Sequence, residues 1–390
     1  MIAVVADDFS GAAELAGIGF SHGLASEIHT ESGPSCRADL VALDTDSRSC
    51  PGTLSAQRVA EAVGGLRQHR PAWIFKKVDS VLRGPVLAEL RSMLAATGKR
   101  RAILIPANPS RGRTIRGRRY FVDGRPIHQS AFAADPEHPA TSSDVLALLG
   151  GEGSPDVSVL RPGQELPHAG IIVGEASTPA EVTRWTEVVD ESTLPAGAAD
   201  YFTALLAASG LRSCQPRPVL DEGSHRWRTL FVCGTAAAWA QARRDECARH
   251  GIPVIPTPQG HCDSGAWPQP SRGWAGAALA ALDRAGFAML TIADEPGVVA
   301  AAPPTVLFHL VEVVAELLGT GSVDRLFVEG GRTASALVRR MGWTRASVCR
   351  QYAPGVVAMQ FPAAPGAILT VKPGSYPWPD EVWRPVAPHG

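Results

Sequence analysis

The sequence predicts an α/β protein made of two α/β/α domains with largely parallel sheets, its active site in the cleft between the domains. Three observations carry that prediction. Apolar runs recur along the 390 residues, and several end in a polar loop. Helical patterns separate many of them, as in βαβ units. The alternation breaks over 213–228, where Pro216, Pro218 and Gly223 fall, and then restarts. A chain of this length also exceeds the size at which one core keeps growing. The expected division is therefore 1–212, a linker at 213–228, and 229–390.

The chain opens with an apolar strand that ends in Asp7-Asp8 and passes into a small-residue helix starting near Gly11. Leu40-Val41-Ala42-Leu43 is a second strand, followed by a helical pattern over 53–69. Ala72-Trp73-Ile74-Phe75 is a third, followed by a helix over 84–97, and Ala102-Ile103-Leu104-Ile105 is a fourth. Residues 106–140 are rich in Arg, Pro and Gly and lack periodicity, so they read as a long functional loop, a flap on the substrate side. A helix over 141–149 opens with Thr141-Ser142-Ser143-Asp144 as its cap. Gly170–Val173 is a strand, a helix starts near Thr178-Pro179, and another spans 198–209. In the second half, strands are expected at Leu230–Cys233, Gly286–Ala293, Leu326–Val328 and Ala367–Val371. Helices are expected up to about Arg249, over 304–318 and up to about Met341, with an irregular loop over 257–272.

With 45% hydrophobic and 19% charged residues the composition is that of an ordinary globular protein with ample core. A formal net charge of -1 gives no overall field for nucleic acid or an anionic membrane, so any basic site must be local. Cys36, Cys50, Cys214, Cys233, Cys247, Cys262 and Cys349 are an odd number without metal-ligand or C-x-x-C spacing, which suits a reducing compartment. The start of the chain lacks a basic leader, and no run approaches the roughly 18 apolar residues needed to cross a bilayer. A cytoplasmic enzyme is the expectation. A homo-oligomer is compatible with the sequence, which holds no signal for or against one.

The chemistry concentrates at strand ends. Lys76-Lys77-Val78-Asp79-Ser80-Val81-Leu82-Arg83-Gly84 places three cations, a carboxylate and a hydroxyl beyond one strand, where ligands bind in α/β folds. Three cations beside one carboxylate suit a small anionic ligand. Asp7 and Asp8, then Asp44-Thr45-Asp46-Ser47-Arg48, then Pro106-Ala107-Asn108-Pro109-Ser110-Arg111-Gly112-Arg113 end the neighbouring strands. In a parallel sheet these loops share one edge. In the second half, Gly234-Thr235, Gly330-Gly331 with Thr333, and Lys372 with Gly374-Ser375 put glycine beside a hydroxyl or lysine, which is what phosphate binding requires. No G-x-x-x-x-G-K-[ST] element occurs, so the chain is not a P-loop NTPase.

The set A-D-D-F-S-G-A, D-T-D-S-R, K-K-V-D-S-V-L-R-G and P-A-N-P-S-R-G-R resembles the four-carbon acid sugar kinases, and the resemblance runs through most of the chain. It implies ATP-dependent phosphorylation of threonate, erythronate or 3-oxotetronate at the terminal hydroxyl, with a nucleotide-binding C-terminal half. Gly234-Thr235, the loop Gly330-Gly331-Arg332-Thr333 and the loop Lys372-Pro373-Gly374-Ser375 match its nucleotide motifs by position. Three departures stand out: Glu329 replaces a usual threonine, Arg332 a usual aspartate, and Ser375 a second glycine. Arg332 could pair with phosphate instead. Mg²⁺ follows from kinase chemistry.

Under that reading Lys76, Lys77, Arg83 and Arg113 are candidates to hold the acid's carboxylate. Asp8, Asp46, Ser47, Asp79 and Asn108 would meet its hydroxyls, and Asp7, Arg48, Ser80 and Arg111 complete the expected pocket. Asp8 and Asp79 are the two candidate bases, Asp8 being preferred because a strand-to-helix turn presents it. Against these roles, Asp7 could cap the first helix and Asp79 could simply pair with Arg83. Two other functions fit parts of the sequence. Asp44-Thr45-Asp46-Ser47 imitates the D-x-D-x-[TV] loop of haloacid-dehalogenase-type phosphatases, although it lies off the first strand. The altered second-half loops suit a sugar-acid sensor that has lost its nucleotide.

Overall fold

The computed structural model describes residues 1–31, 38–135, 137–214, 227–234, 239–257, 271–292, 304–374 and 376–383. The chain divides into two compact units, Met1–Pro216 and Arg217–Gly390. Most of the expected linker lies outside the described residues.

The first unit runs β1 (Ile2–Ala6), α1 (Phe9–Ser21), β2 (Ser26–His29), β3 (Leu40–Asp44), α2 (Gly52–Arg67), β4 (Trp73–Lys77), α3 (Val86–Thr97) and β5 (Arg101–Ile105). It continues with a short antiparallel sheet, β6 (Arg113–Arg116), β7 (Arg119–Val122) and β8 (Arg125–Pro126). Then follow α4 (Val145–Leu148), β9 (Val157–Leu160), β10 (Gly170–Gly174), α5 (Pro179–Arg184), β11 (Thr193–Gly197) and α6 (Ala199–Ala208). The main strands lie in the order β2-β3-β1-β4-β11-β5-β10-β9 and pair in parallel throughout. From β1 the chain crosses toward β2 on one side, and from β4 it crosses toward β5 on the other. Adjacent strands whose connections diverge open a ligand site at their carboxyl ends, and β1 and β4 are such a pair. Below that point the sheet is apolar. Phe75 meets Phe202 at 5.1 Å and Tyr201 at 6.1 Å between ring centroids, and all three are buried.

The second unit runs β12 (Thr229–Cys233), α7 (Trp239–His250), β13 (Val254–Pro256), α8 (Ser271–Ala285), β14 (Phe287–Thr291) and α9 (Pro304–Gly319). It closes with β15 (Arg325–Glu329), α10 (Gly331–Arg340), β16 (Arg345–Ala353), β17 (Val356–Phe361) and β18 (Ala364–Lys372). Strands β13-β14-β12-β15-β18 are parallel, and β17 and β16 extend the sheet as an antiparallel hairpin. Phe231 stacks on Phe327 at 4.9 Å and on Trp383 at 4.8 Å, and Trp378 closes the cluster edge-on.

The α/β architecture therefore holds, with differences of detail. The first helix begins at Phe9 rather than near Gly11, capped by Asp8 and not by Asp7: the Asp8 carboxylate accepts the Gly11 amide at 2.8 Å. The helix expected over 141–149 is one turn, Val145–Leu148, because Asp144 caps it directly. The flap over 106–140 is largely a built structure, the β6–β8 sheet followed by short turns. Buried Tyr120 anchors that sheet by donating to the Ser80 carbonyl. Strand β2 escaped notice because its sequence, Ser-Glu-Ile-His, is polar. It is nevertheless buried, with Glu27 and His29 satisfying each other at 2.8 Å. Strands β9, β11, β13, β16 and β17 and helix α8 were also not expected. Among the described residues no helix is long and apolar enough to cross a membrane.

Candidate active site

The site of the first unit is built on the carboxyl ends of β1, β3 and β4. Arg48, just beyond β3, is its hub. Its guanidinium donates to Asp7 from Nε at 2.7 Å and from Nη2 at 3.0 Å, and to Asp8 from Nη1 at 2.7 Å. The same Nη1 lies 4.0 Å from Asp79. Asp79 takes Arg83 bidentately, from Nε at 2.8 Å and Nη2 at 3.0 Å, and the third face of Arg83 donates from Nη1 to Asp135 at 3.0 Å. Carboxylates and guanidiniums thus alternate from Asp7 to Asp135. Burial alone would raise the carboxyls of Asp7 and Asp79, but the cations around them prevail. Arg48, Lys76 and Lys77 hold Asp7 below its ordinary value, and Arg83, Arg48 and Arg113 hold Asp79 well below. The same carboxylates push Arg48 well up.

Phe132 lies beneath two cations, its ring centroid 5.8 Å from the Arg83 guanidinium carbon and 5.6 Å from that of Arg113. Arg113 also donates to the Ser80 hydroxyl. Two non-glycine residues of the site loops, Asp46 at φ 47° and Leu82 at φ 65°, adopt the left-handed region, a backbone cost often met where a loop must aim its side chains. Gly11 keeps the floor open. A Cβ there would come within 2.7 Å of the Asp8 carboxylate and 3.3 Å of the Lys77 ammonium.

Several expected contact residues are engaged by other parts of the fold. Lys76 is fully buried and pairs with Glu89 at 2.8 Å. Ser47 is fully buried too and donates to the other oxygen of Glu89 at 2.5 Å. Neither can reach a ligand in this arrangement. Asp7 is buried and both of its oxygens accept from Arg48. Asn108 is buried and accepts the Asp200 amide at 3.0 Å, which ties the following turn to α6. Lys77 sits at the floor, 3.3 Å from Glu14. Asp46 faces outward, 3.6 Å from Arg58, and Arg111 is half-buried on the turn before β6. Asp44, the first acid of the phosphatase-like loop, spends an oxygen on the Asp46 amide. Of the expected set, Asp8, Arg48, Asp79, Ser80, Arg83 and Arg113 do come together.

Glu14, Glu89, Phe132, Asp135 and Asp200 join these contacts without having been expected from the sequence. One signal was available for Glu89: an acid inside the apolar stripe Val86-Leu87-Leu90-Met93 needs a buried cation, and two lysines end the preceding strand. No such signal marked Phe132 or Asp135, because no periodicity relates their segment to the sheet.

In the second unit, α10 starts directly beyond β15 with Gly330 at φ 100° as its N-cap and no side-chain capping bond. Its first-turn amides and partial positive charge are the elements of a phosphate site. Arg332 is exposed in that turn and Thr333 is buried. Gly234, at the end of β12, packs so tightly that a Cβ would approach the Thr333 hydroxyl to 2.0 Å. Lys372 departs from expectation. It is fully buried at the end of β18, pairs with Glu329 at 3.0 Å, and lies 5.1 Å from the Trp378 ring centroid. The glutamate that replaces threonine thus neutralises the lysine expected to meet phosphate. Gly331 and Gly374 are half-buried; Thr235 and Ser375 lie outside the described residues. These features fit a nucleotide's phosphates at the start of α10. No group of three or more His, Cys, Asp or Glu able to hold a metal ion occurs among the described residues.

Comparison with known proteins agrees with the two-part layout. Residues 2–170 match the model of a sugar-binding N-terminal domain, and residues 271–376 that of a nucleotide-binding C-terminal domain. A D-threonate kinase of Cupriavidus necator is 27% identical over 98% of this chain and 96% of its own length. A D-threonate kinase of Salmonella typhimurium is 26% identical over 64% of this chain, which spans 61% of that relative. A 3-oxo-tetronate kinase of Methylobacterium radiotolerans is 26% identical over 95% of both chains. In fold, the chain is similar to a Salmonella typhimurium protein described as a tRNA synthase, with a TM-score of 0.74 at 20% identity over 98% of this chain and 97% of that one. Together these findings mean that the chain belongs to the four-carbon acid sugar kinase family, phosphotransferases acting on an alcohol group of a sugar acid.

Proposed function

We propose that the protein transfers the terminal phosphoryl group of ATP to the 4-hydroxyl of a four-carbon sugar acid, D-threonate, D-erythronate or 3-oxotetronate. The observation that carries this reading is the buried chain of alternating carboxylates and guanidiniums from Asp7 to Asp135, with half-buried Asp8 at its open side. Phosphoryl transfer asks a protein mainly for positioning and charge neutralisation, and such a frame supplies both. Arg83 and Arg113, held over Phe132, are the seat for the acid's carboxylate. The Ser80 hydroxyl lines the path toward Asp8. Asp8 is the general base: its Oδ1 is spent on the Gly11 amide, and Oδ2 accepts from Ser10 at 2.6 Å and from Arg48. It orients the 4-hydroxyl and accepts its proton as the phosphoryl group arrives. Asp79, clamped by Arg83, positions that arginine instead.

The phosphates of ATP would rest on the first-turn amides of α10, with exposed Arg332 supplying the cation that buried Lys372 cannot. Mg²⁺ would enter with the nucleotide and neutralise its phosphates. The scattered cysteines and a small charged substrate support a cytoplasmic location. A coupled ADP-release screen with threonate, erythronate and 3-oxotetronate isomers tests the reading. Robust ADP release with one of them is the expected result. No release with any, from folded protein whose melting point also ignores Mg·ATP, would replace the kinase by the sugar-acid sensor.

A further inference from the structure

The seat assigned to the substrate carboxylate already holds a carboxylate of the protein. Arg83 spends Nε and Nη2 on Asp79, and its remaining face, Nη1, on Asp135 Oδ2. Asp79 is buried and doubly held, whereas Asp135 is half-buried and sits in the short turn around Ala131–Ala134 that also carries Phe132. The other oxygen of Asp135 accepts the amides of Glu137 at 3.0 Å and His138 at 2.9 Å. One carboxylate oxygen thus builds the local turn, and the other points at the cation a sugar acid would need.

We propose that Asp135 is a specificity-determining residue, an internal carboxylate that occupies the Arg83 seat and is exchanged for the carboxylate of the incoming acid. The inference rests on the kinase reading above. No covalent step is involved, since one charge-assisted hydrogen bond to Nη1 replaces another. The exchange has a consequence for selectivity. A ligand without a carboxylate cannot displace Asp135 and finds the seat closed, while the acid binds at an affinity lowered by the fraction of molecules in which the seat is taken. The internal competitor therefore sets how much of the acid is required and rejects the uncharged polyol of the same length.

The test compares the full-length parent with Asp135→Asn and Asp135→Ser by titration calorimetry with D-threonate and D-erythronate, and with the polyol threitol. Asparagine keeps the oxygen that accepts the two turn amides but turns an NH2 group toward Arg83, donor against donor. Serine keeps an acceptor for the turn and presents no charge. Both variants should bind the acid about tenfold or more tightly, as expected if the seat is taken roughly nine-tenths of the time, and threitol should gain nothing. Acid binding unchanged or weakened in whichever variant is folded would overturn the proposal, because Asp135 would then be a support for Arg83 and not its competitor. If neither parent nor variants bind any four-carbon acid, the kinase reading itself fails and takes this inference with it. Binding by the variants alone would support the closed seat.

Discussion

Replacing Arg48 by methionine should unfold the first unit at markedly lower temperature, and the size of the loss follows from what the arginine leaves behind. Arg48 makes three hydrogen bonds to Asp7 and Asp8 and approaches Asp79 at 4.0 Å. Asp7 has 3% of its side chain exposed, so without Arg48 it becomes a buried carboxylate whose remaining cations, Lys76 and Lys77, are paired with Glu89 and Glu14. Breaking one partner out of a buried pair costs about 3–5 kcal/mol. For a unit of this size each kcal/mol moves the melting point by roughly 2–4 °C, so a drop of roughly 6–20 °C is expected. The pH dependence gives a second handle. The folded-state carboxyls of Asp7 and Asp79 lie below their unfolded values, so their contribution is present above the unfolded value of about 3.9 and is lost as pH falls through the folded one. In Arg48→Met, only Lys76 and Lys77 remain to offset burial at Asp7, so its carboxyl rises from its value in the parent. The gap between parent and variant should then be widest near neutral pH and shrink as Asp7 of the variant becomes protonated at acid pH. Arg91→Met, which removes a pair with Asp156 that is nearly half exposed, is the control and should cost about 0–1 kcal/mol. Calorimetric melts at pH 7 and pH 4 make the measurement. A loss for Arg48→Met no larger than for Arg91→Met, or one independent of pH, would refute the hub.

Three further outcomes are expected. Asp8→Asn keeps the helix cap but turns its NH2 group toward Arg48, so it should fold with a somewhat lowered melting point while turnover in the ADP-release assay falls by about 100-fold to 10,000-fold; turnover within a factor of a few would remove Asp8 as the base. Gly234→Ala should blunt the rise in melting point that millimolar Mg·ATP produces by mass action, since its Cβ collides with Thr333. An undiminished rise would move the phosphates away from this turn. Lys372→Met should destabilise the second unit by about 3–5 kcal/mol by stranding Glu329, and the double variant Lys372→Met/Glu329→Leu should recover most of it. Loss of the Mg·ATP effect in the double variant with stability restored would return Lys372 to the nucleotide.

The sequence alone determined the class of the fold and the location of its chemistry. Apolar runs ending at Asp7, Asp44, Lys77 and Ile105 read as parallel strands because burial on both faces removes polar alternation, and loops at their carboxyl ends converge whatever the details. It also placed Asp8, Arg48, Asp79, Ser80, Arg83 and Arg113 at one site. What it could not decide was which charges face a ligand and which face each other. Lys76 and Lys77 are adjacent letters, yet strand alternation sends one to Glu89 on α3 and the other to Glu14 on α1. Lys372 looked like a phosphate ligand until Glu329 from the neighbouring strand neutralised it, at a register position that pairs the two directly. Asp135 comes 52 residues beyond Arg83 and Phe132 just before it, and only the packing of the β6–β8 sheet on the Ser80 loop brings them over the guanidinium. Charge pairing across non-local contacts depends on distances of a few ångströms, and the order of residues along a chain carries no such distances.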